Sequence, residues 1–144
     1  MQNETKKDLT KEEALQAFLE TGEPAEETKI ENEFDCDGGT FLVLTDEEAD
    51  AAAAEYIKES LWSFNAEFLA AYTPEGIDAY EINALRGDRC EDANTGIVAL
   101  VKAGCGLETL IEAAIGIDGR GHSLAHHDSV EHESACGDFY FYQV

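Results

Sequence analysis

The sequence predicts an α+β fold, a mostly helical single domain with a small antiparallel sheet. Two β-prone runs, residues 40–44 and the aromatic residues 139–144, lie on either side of a long segment with helical periodicity. Because strand backbone groups must be hydrogen-bonded, we expect these two runs to pair with each other. The chain is 44% hydrophobic, which favours a packed core over disorder. We expect residues 39–144 to form the compact domain and residues 1–38 to form an N-terminal helix and acidic loop arm.

The N-terminal segment predicts one helix followed by a loop. Residues 9–21 have helical spacing, Thr10 and Glu13 have the spacing of a capping box, and Gly22 is a typical helix end. Residues 23–38 are rich in acids and contain Pro24, so we expect them to be mostly loop.

The longest predicted element is a helix that begins after Thr45 and runs to about Tyr72. Thr45 and Glu48 repeat the capping-box spacing. Five apolar residues that step by three or four positions should share one face of this helix. These are Ile57, Leu61, Phe64, Phe68 and Tyr72.

Three shorter helices and a loop are predicted between this helix and the C-terminal strand. The helices cover about 75–86, 91–103 and 107–115, with Asp88 or Asp92 opening the second. The glycine-rich residues 118–122 are expected to form a loop. In it, Gly119 and Gly121 would supply turn positions with positive φ, and Arg120 would pair with a carboxylate of the same chain.

Net charge is the strongest functional signal in the chain. Thirty-two Asp and Glu against nine Lys and Arg give a formal net charge of −23, which is spread over the whole length. Such a surface repels nucleic-acid backbones and anionic membranes, and no run approaches the ~18 apolar residues of a membrane span. We therefore expect no direct nucleic-acid binding and no membrane association. The first seven residues lack the apolar core of a secretion signal, so we expect no leader segment either. The expected partner is basic, such as a protein that grips DNA or RNA phosphates.

The acids are densest around the first strand and the beginning of the long helix. Glu48, Glu55 and Glu59 would lie about 10 and 6 Å apart along a helix, a spacing on the order of that between phosphates of one DNA strand. We therefore assign a partner-binding role to ten acids, as phosphate surrogates. The alternative is an acidic structural or regulatory protein whose charge is simply solvated. The ten are Glu31, Glu33, Asp35, Asp37, Asp46, Glu47, Glu48, Asp50, Glu55 and Glu59.

A small metal-dependent or cysteine-dependent enzyme is a further alternative. Four histidines cluster near the C-terminus, at positions 122, 126, 127 and 132, but they lack a zinc-protease spacing. The four cysteines, at positions 36, 90, 105 and 136, contain no Cys-x-x-Cys pair, so we expect reduced thiols. The sequence predicts no catalytic residue, no metal and no cofactor.

Aromatic side chains offer candidate contact points. Trp62, Tyr140 and Tyr142 could anchor a partner, since aromatic residues are enriched at interfaces. Core packing or the seam of a homodimer is the alternative role for each of them.

A local resemblance adds to this interpretation. The stretch Asp118-Gly-Arg-Gly-His-Ser-Leu124 and the helix at 56–68 resemble small acidic proteins of phages and mobile elements, over about residues 40–144. In that group an aromatic residue stands at the position of Ser123, and Tyr-Asp-Gly stands at 127–129. The group has no assigned chemistry. The resemblance implies an inhibitor of a host defence complex in the host cytoplasm, as in anti-CRISPR and anti-restriction proteins that imitate DNA.

Overall fold

A computed structural model, which describes residues 9–20 and 25–144, has the α+β fold that the sequence predicts. Six α-helices and five strands lie within these residues, together with two short 3₁₀ turns at Leu61–Ser63 and Cys90–Ala93. In chain order the elements are α1 (Lys11–Leu19), β1 (Glu26–Glu27), β2 (Glu33–Cys36), β3 (Gly39–Leu44), α2 (Asp46–Glu59), α3 (Ala66–Ala70), α4 (Ala79–Arg86), α5 (Asn94–Ala103), α6 (Leu107–Leu124), β4 (His132–Glu133) and β5 (Tyr140–Gln143).

The strands form one antiparallel sheet in the order β1-β2-β3-β5-β4. The predicted pairing of residues 40–44 with 139–144 is confirmed, with Leu42 opposite Tyr142 and Val43 opposite Phe141. Strand β5 lies between β3 and β4, so its aromatic residues are inside the sheet and not on an exposed edge.

The acidic segment before β3 is not the loop that its composition suggested. Within its described part, Glu26–Glu27 and Glu33–Cys36 are strands, while Pro24 and Gly22 lie outside the described residues. In β2 the buried Phe34 faces the core, and the neighbouring Glu33 and Asp35 face the other way. Alternation with period two is the signature of a strand, and here it outweighs the high acid content.

Contacts divide the described chain into two compact units. Unit 1 comprises the described residues up to Ala51 together with Arg120–Val144, and unit 2 comprises Ala52–Gly119. The sequence-based division into 1–38 and 39–144 is a different one. In unit 1, helix α1 packs its buried residues against one face of the sheet, forming a core of Ala14, Leu15, Phe34, Phe41, Val43 and Phe141.

The helix predicted from Thr45 to Tyr72 is wrong as a single element. Helix α2 ends at Glu59, a 3₁₀ turn follows, and α3 begins after Asn65. The Asn65 side chain accepts hydrogen bonds from two backbone N–H groups of α3, and this cap competes with helix continuation. The five apolar residues assigned to one face do meet in the core of unit 2, although they come from successive elements.

The later helices differ from the prediction at their ends. Helix α4 begins at a capping box of Asp78 and Glu81, and neither the turn at Cys90–Ala93 nor α5 has a side-chain cap. Helical structure extends to Leu124 on both sides of one break, so the loop predicted at 118–122 is wrong. The break lies at Gly119, which has φ of 80°. The charged and glycine-rich composition concealed two helical segments joined at one residue with positive φ.

Candidate functional site

The beginning of α2 is fixed by a predicted capping box that also binds a lysine. The Thr45 N–H donates to Glu48 Oε1 over 3.0 Å, and the Glu48 N–H donates to Thr45 Oγ1 over 3.2 Å. Lys11 Nζ donates to the same Glu48 oxygen and to Asn32 Oδ1, each over 2.6 Å. Burial alone would raise the pKa of Glu48, but donation from Lys11 and Thr45 outweighs it and lowers that pKa. Glu48 therefore serves the fold of unit 1.

Arg120 is the centre of a second cluster, and its predicted pairing with carboxylates is confirmed. Its side chain is only 10% exposed. Nη1 lies 2.9 Å from Asp46 Oδ1 and 3.0 Å from Asp50 Oδ1, and Nε lies 2.8 Å from Glu131 Oε1. Burial would lower the pKa of Arg120, but the hydrogen bonds to Glu131 and Asp46 raise it overall. One guanidinium thus joins the start of α2 to the segment before β4.

Two tyrosines of β5 complete the Arg120 cluster. The guanidinium carbon lies 4.7 Å from the centre of the Tyr140 ring, in cation–π geometry. The fully buried Tyr142 donates its phenolic hydrogen to Glu131 Oε1 over 2.6 Å. Burial and this hydrogen bond raise the pKa of Tyr142. Tyr142 therefore packs in the core, which was one of the two alternative roles for it. Trp62, the third aromatic candidate, is partly buried against the core of unit 2.

Backbone geometry explains why the sequence around Arg120 is Gly-Arg-Gly. Gly119 supplies the predicted positive φ, but Gly121 does not. Gly121 is needed for a close approach instead, because a Cβ there would lie 2.7 Å from the carbonyl oxygen of Ser129 and 2.8 Å from the Glu131 nitrogen. The small residue lets the chain carrying Glu131 pack directly beside the helix that carries Arg120.

The remaining acids of unit 1 concentrate on β1, β2 and their turns, which we call the acidic hairpin (residues 26–37). Glu26 pairs with Asp35 across the two strands, and Glu33 and Asp35 lie two residues apart on one face. Hydroxyl groups hold two of these carboxylates in place: Thr28 donates to Glu33 over 3.1 Å, and Thr40 donates to Asp35 over 2.5 Å. The six acids of the acidic hairpin are Glu26, Glu27, Glu31, Glu33, Asp35 and Asp37.

The ten acids assigned from the sequence therefore separate into groups with different roles. Four of them (31, 33, 35 and 37) lie in the acidic hairpin, and Glu47 is exposed on the first turn of α2. Asp46 and Asp50 bind Arg120, and Glu48 binds Lys11. Glu55 and Glu59 belong to unit 2. Sequence reasoning missed Glu26 and Glu27. Had β2 been recognised from its alternation, a turn at 28–32 would have predicted that these two residues form a strand beside β2.

Glu55 and Glu59 form a pair of like charges one helical turn apart. The Glu55 side chain is hydrogen-bonded to that of Glu59, and this bond together with the negative charge of Glu55 raises the pKa of Glu59. Both residues are exposed, so the pair adds negative potential to the surface of unit 2.

Lys29, Lys58 and Lys102 are exposed, but the other Lys and Arg side chains in the described part of the chain bind groups of the fold. In unit 1 both Lys11 and Arg120 are bound to carboxylates of the fold, whereas every Asp and Glu in the described part of the chain is at least partly exposed. In unit 2, Arg86 donates to the carbonyl oxygens of Trp62 and Phe64, and Arg89 donates to that of Leu85. Counted from the sequence, the range of unit 1 holds 20 acids and five bases, and that of unit 2 holds 12 and four.

Of the histidines and cysteines that suggested an enzyme, Cys36 lies in β2 of the acidic hairpin. Within residues 9–20 and 25–144, no group of three or more His, Cys, Asp and Glu side chains is arranged to hold a metal ion. All four cysteines are free, and Cys136 Sγ lies 3.4 Å from Ser134 Oγ. The His132 ring packs on Phe18, with ring centres 5.1 Å apart.

Searches of the chain against protein-family models, curated proteins and solved structures found no match. Within the part of the chain that the structure describes, no helix is both long enough and apolar enough to cross a membrane.

Proposed function

We propose that the protein is a phage-type inhibitor that binds a basic nucleic-acid-binding surface of a host defence complex, using carboxylates in place of phosphates. The defence complex would be a CRISPR effector or a restriction enzyme. The acidic hairpin is the surface we assign to this contact. The observation that carries the proposal is the density of exposed carboxylates in that hairpin, on a framework of paired strands.

The charge density of the acidic hairpin is close to that of nucleic acid. From Glu31 to Asp37 the chain extends at most about 20 Å, at roughly 3.3 Å per residue. Strand β1 lies alongside β2 over this length, so the hairpin holds six carboxylates and one lysine, Lys29. Its net charge of −5 gives roughly one negative charge per 4 Å. One strand of B-DNA carries a phosphate about every 3.4 Å along the helix axis. A groove lined with Lys and Arg would meet a similar linear charge.

Preorganisation supports the same proposal. Strand pairing with β3 fixes the backbone of β2, and hydrogen bonds from Thr28 and Thr40 orient Glu33 and Asp35. Carboxylates held by a sheet lose less conformational entropy on binding than those of a flexible acidic tail.

Competition with DNA tests the proposal directly. Purified CRISPR effector complexes and restriction endonucleases would be bound to a fluorescein-labelled DNA duplex, and release of the duplex would be followed by fluorescence anisotropy as the protein is added. We expect release from at least one of these enzymes, with an apparent affinity that falls steeply as salt rises, because paired charges are screened. Tight binding that persists unchanged at about 1 M salt would exclude phosphate mimicry.

A pair of charge-matched variants identifies the surface. One changes the six hairpin acids to Gln or Asn, which keeps their capacity to accept hydrogen bonds from Thr28 and Thr40. Its control changes six exposed acids of unit 2 in the same way: Glu75, Asp88, Glu91, Asp92, Glu108 and Glu112. We expect DNA release to be lost only in the hairpin variant. Equal activity of both variants would favour the alternative in which the charge is simply solvated.

A further inference from the structure

A shallow groove in unit 2 combines an apolar floor with carboxylates and an exposed aromatic ring. It has a volume of about 500 Å³ and lies where α3 packs against the beginning of α4. We call it the Tyr80 groove, after the large side chain at its rim. Its lining residues are Glu67, Ala70, Ala71, Ile77, Asp78, Ala79 and Tyr80.

Tyr80 is the most unusual member of this groove. Its side chain is 79% exposed, the largest fraction among the large hydrophobic residues in the described part of the chain. The other aromatic residues of α3 and its surroundings, Phe64, Phe68 and Tyr72, pack partly buried against the core. An exposed aromatic ring beside an apolar depression is the usual composition of an interface hot spot.

The charges of the groove select the kind of side chain that would occupy it. Two of the lining side chains carry a charge, and they are Glu67 and Asp78. Both are acids and both are exposed. The alanines and Ile77 offer an apolar surface for an aliphatic stem. The ring of Tyr80 offers a face for a cation. A long basic side chain matches all three features, since it has an apolar stem and a charged end.

We propose that the Tyr80 groove receives one basic side chain of the protein partner, preferably arginine. A guanidinium can stack on the Tyr80 ring and still donate hydrogen bonds to the carboxylates, which an ammonium does less well. The assignment rests on the proposed function, in which the partner is basic. It adds a specific contact in unit 2 that a purely electrostatic acidic hairpin does not provide.

The test compares a charged probe with a neutral probe of nearly the same size and shape. The protein would be titrated with N-acetylarginine amide and, separately, with the neutral N-acetylcitrulline amide, and the NMR signals of Tyr80 and of the backbone amides lining the groove would be followed. We expect saturable shifts at the groove with the arginine probe, in the millimolar range, and none with citrulline. Shifts distributed equally over all exposed carboxylates, without saturation at Tyr80, would overturn the proposal.

Variants with matched controls complete the test. Tyr80→Ala should weaken the response to the arginine probe at least fivefold, and so should Glu67→Gln combined with Asp78→Asn. Asparagine keeps the cap on α4, because its side-chain oxygen can still accept from the Glu81 N–H. Ile117→Ala, at a residue that is 70% exposed in the same unit, should leave the response unchanged. An unchanged response in Tyr80→Ala would overturn the proposal.

The two proposals can fail separately. If the hairpin variant loses DNA release while Tyr80→Ala retains full affinity for the partner and full response to arginine, the proposed function stands and the groove assignment fails. If the groove binds arginine with the expected selectivity but the protein releases DNA from no defence enzyme, the groove assignment stands and the proposed function fails.

Discussion

Glu131 Oε1 accepts two hydrogen bonds, one from the buried phenol of Tyr142 over 2.6 Å and one from Arg120 Nε over 2.8 Å. This single oxygen links a strand inside the sheet to the guanidinium that holds the start of α2. The link depends on one charged base in a chain with a net charge of −23.

Replacing Arg120 should destabilise the protein more than replacing the exposed Arg89. Arg120→Met leaves Asp46, Asp50 and Glu131 without their shared counter-charge. Because the first two carboxylates are largely exposed, we expect a loss of about 1–3 kcal/mol in the free energy of unfolding. Urea denaturation would measure it. Arg89→Met, at an exposed site with the same change in charge, should cost less than about 0.5 kcal/mol. Equal effects would mean that the Arg120 cluster contributes only net charge.

Tyr142 should make the stability depend on alkaline pH. Its pKa is higher in the folded protein than the ordinary value near 10, so its contribution is complete below pH 10. The contribution should decrease as pH rises above that value, because the unfolded chain then releases a proton that the folded protein retains.

Tyr142→Phe removes both the proton and the hydrogen bond to Glu131. We expect a loss of about 1–2 kcal/mol at neutral pH, since a charged acceptor is left without its buried donor. The stability difference between the two proteins should then narrow between pH 10 and 11 in guanidinium denaturation. A constant difference over this interval would contradict the assignment to Tyr142.

Gly116 and Gly121, on either side of the break at Gly119, should respond oppositely to alanine. At Gly121 a new Cβ would collide with the backbone of Ser129 and Glu131, and we expect Gly121→Ala to cost at least about 2 kcal/mol. At Gly116 nothing lies within 4 Å, so alanine should stabilise the helix by roughly 0.5–1 kcal/mol. Thermal unfolding measures both. If Gly121→Ala were neutral, the close approach of the 129–131 segment would be wrong.

The like-charge pair on α2 can be checked by carboxyl NMR. Glu55→Gln removes the negative charge beside Glu59, so the raised pKa of Glu59 should fall toward its ordinary value. In the native chain the protonated form of Glu59 is favoured by folding. The pair therefore supports stability at acidic pH and loses that contribution as pH rises through the pKa of Glu59. An unchanged pKa of Glu59 in the variant would show that Glu55 does not contact it.

Much of the fold follows from local signals that need no partner elsewhere in the chain. Thr10 with Glu13 and Thr45 with Glu48 form the capping boxes that their spacing predicts. The runs at 40–44 and 139–144 pair as predicted, and the composition of each was enough to identify it as a strand. Strand β2 carried an equally local signal, the alternation of acids with Phe34 and Cys36, but the many acids concealed it.

The division of roles among the acids could not be read from the sequence. Arg120 was expected to pair with a carboxylate, but Asp46 and Asp50 are 74 and 70 residues away along the chain. Only the folded chain shows that these two carboxylates bind Arg120. The acids at 31–37 face solvent or accept hydrogen bonds from hydroxyl groups. Helical spacing grouped Glu48 with Glu55 and Glu59. It gave no sign that Glu48 binds Lys11 of α1.

The two outer strands of the sheet, β1 and β4, have a consequence for self-association. Each is only two residues long, and three of their four residues are glutamates. A short, charged border gives an incoming strand almost no template, so further copies of the chain have little means of extending the sheet into a fibre. Glu26 and Glu27 thus protect the protein from aggregation at the same positions where we propose that it attracts a basic partner. A substitution at Glu26 or Glu27 would therefore change both the resistance to aggregation and the proposed binding of a basic partner.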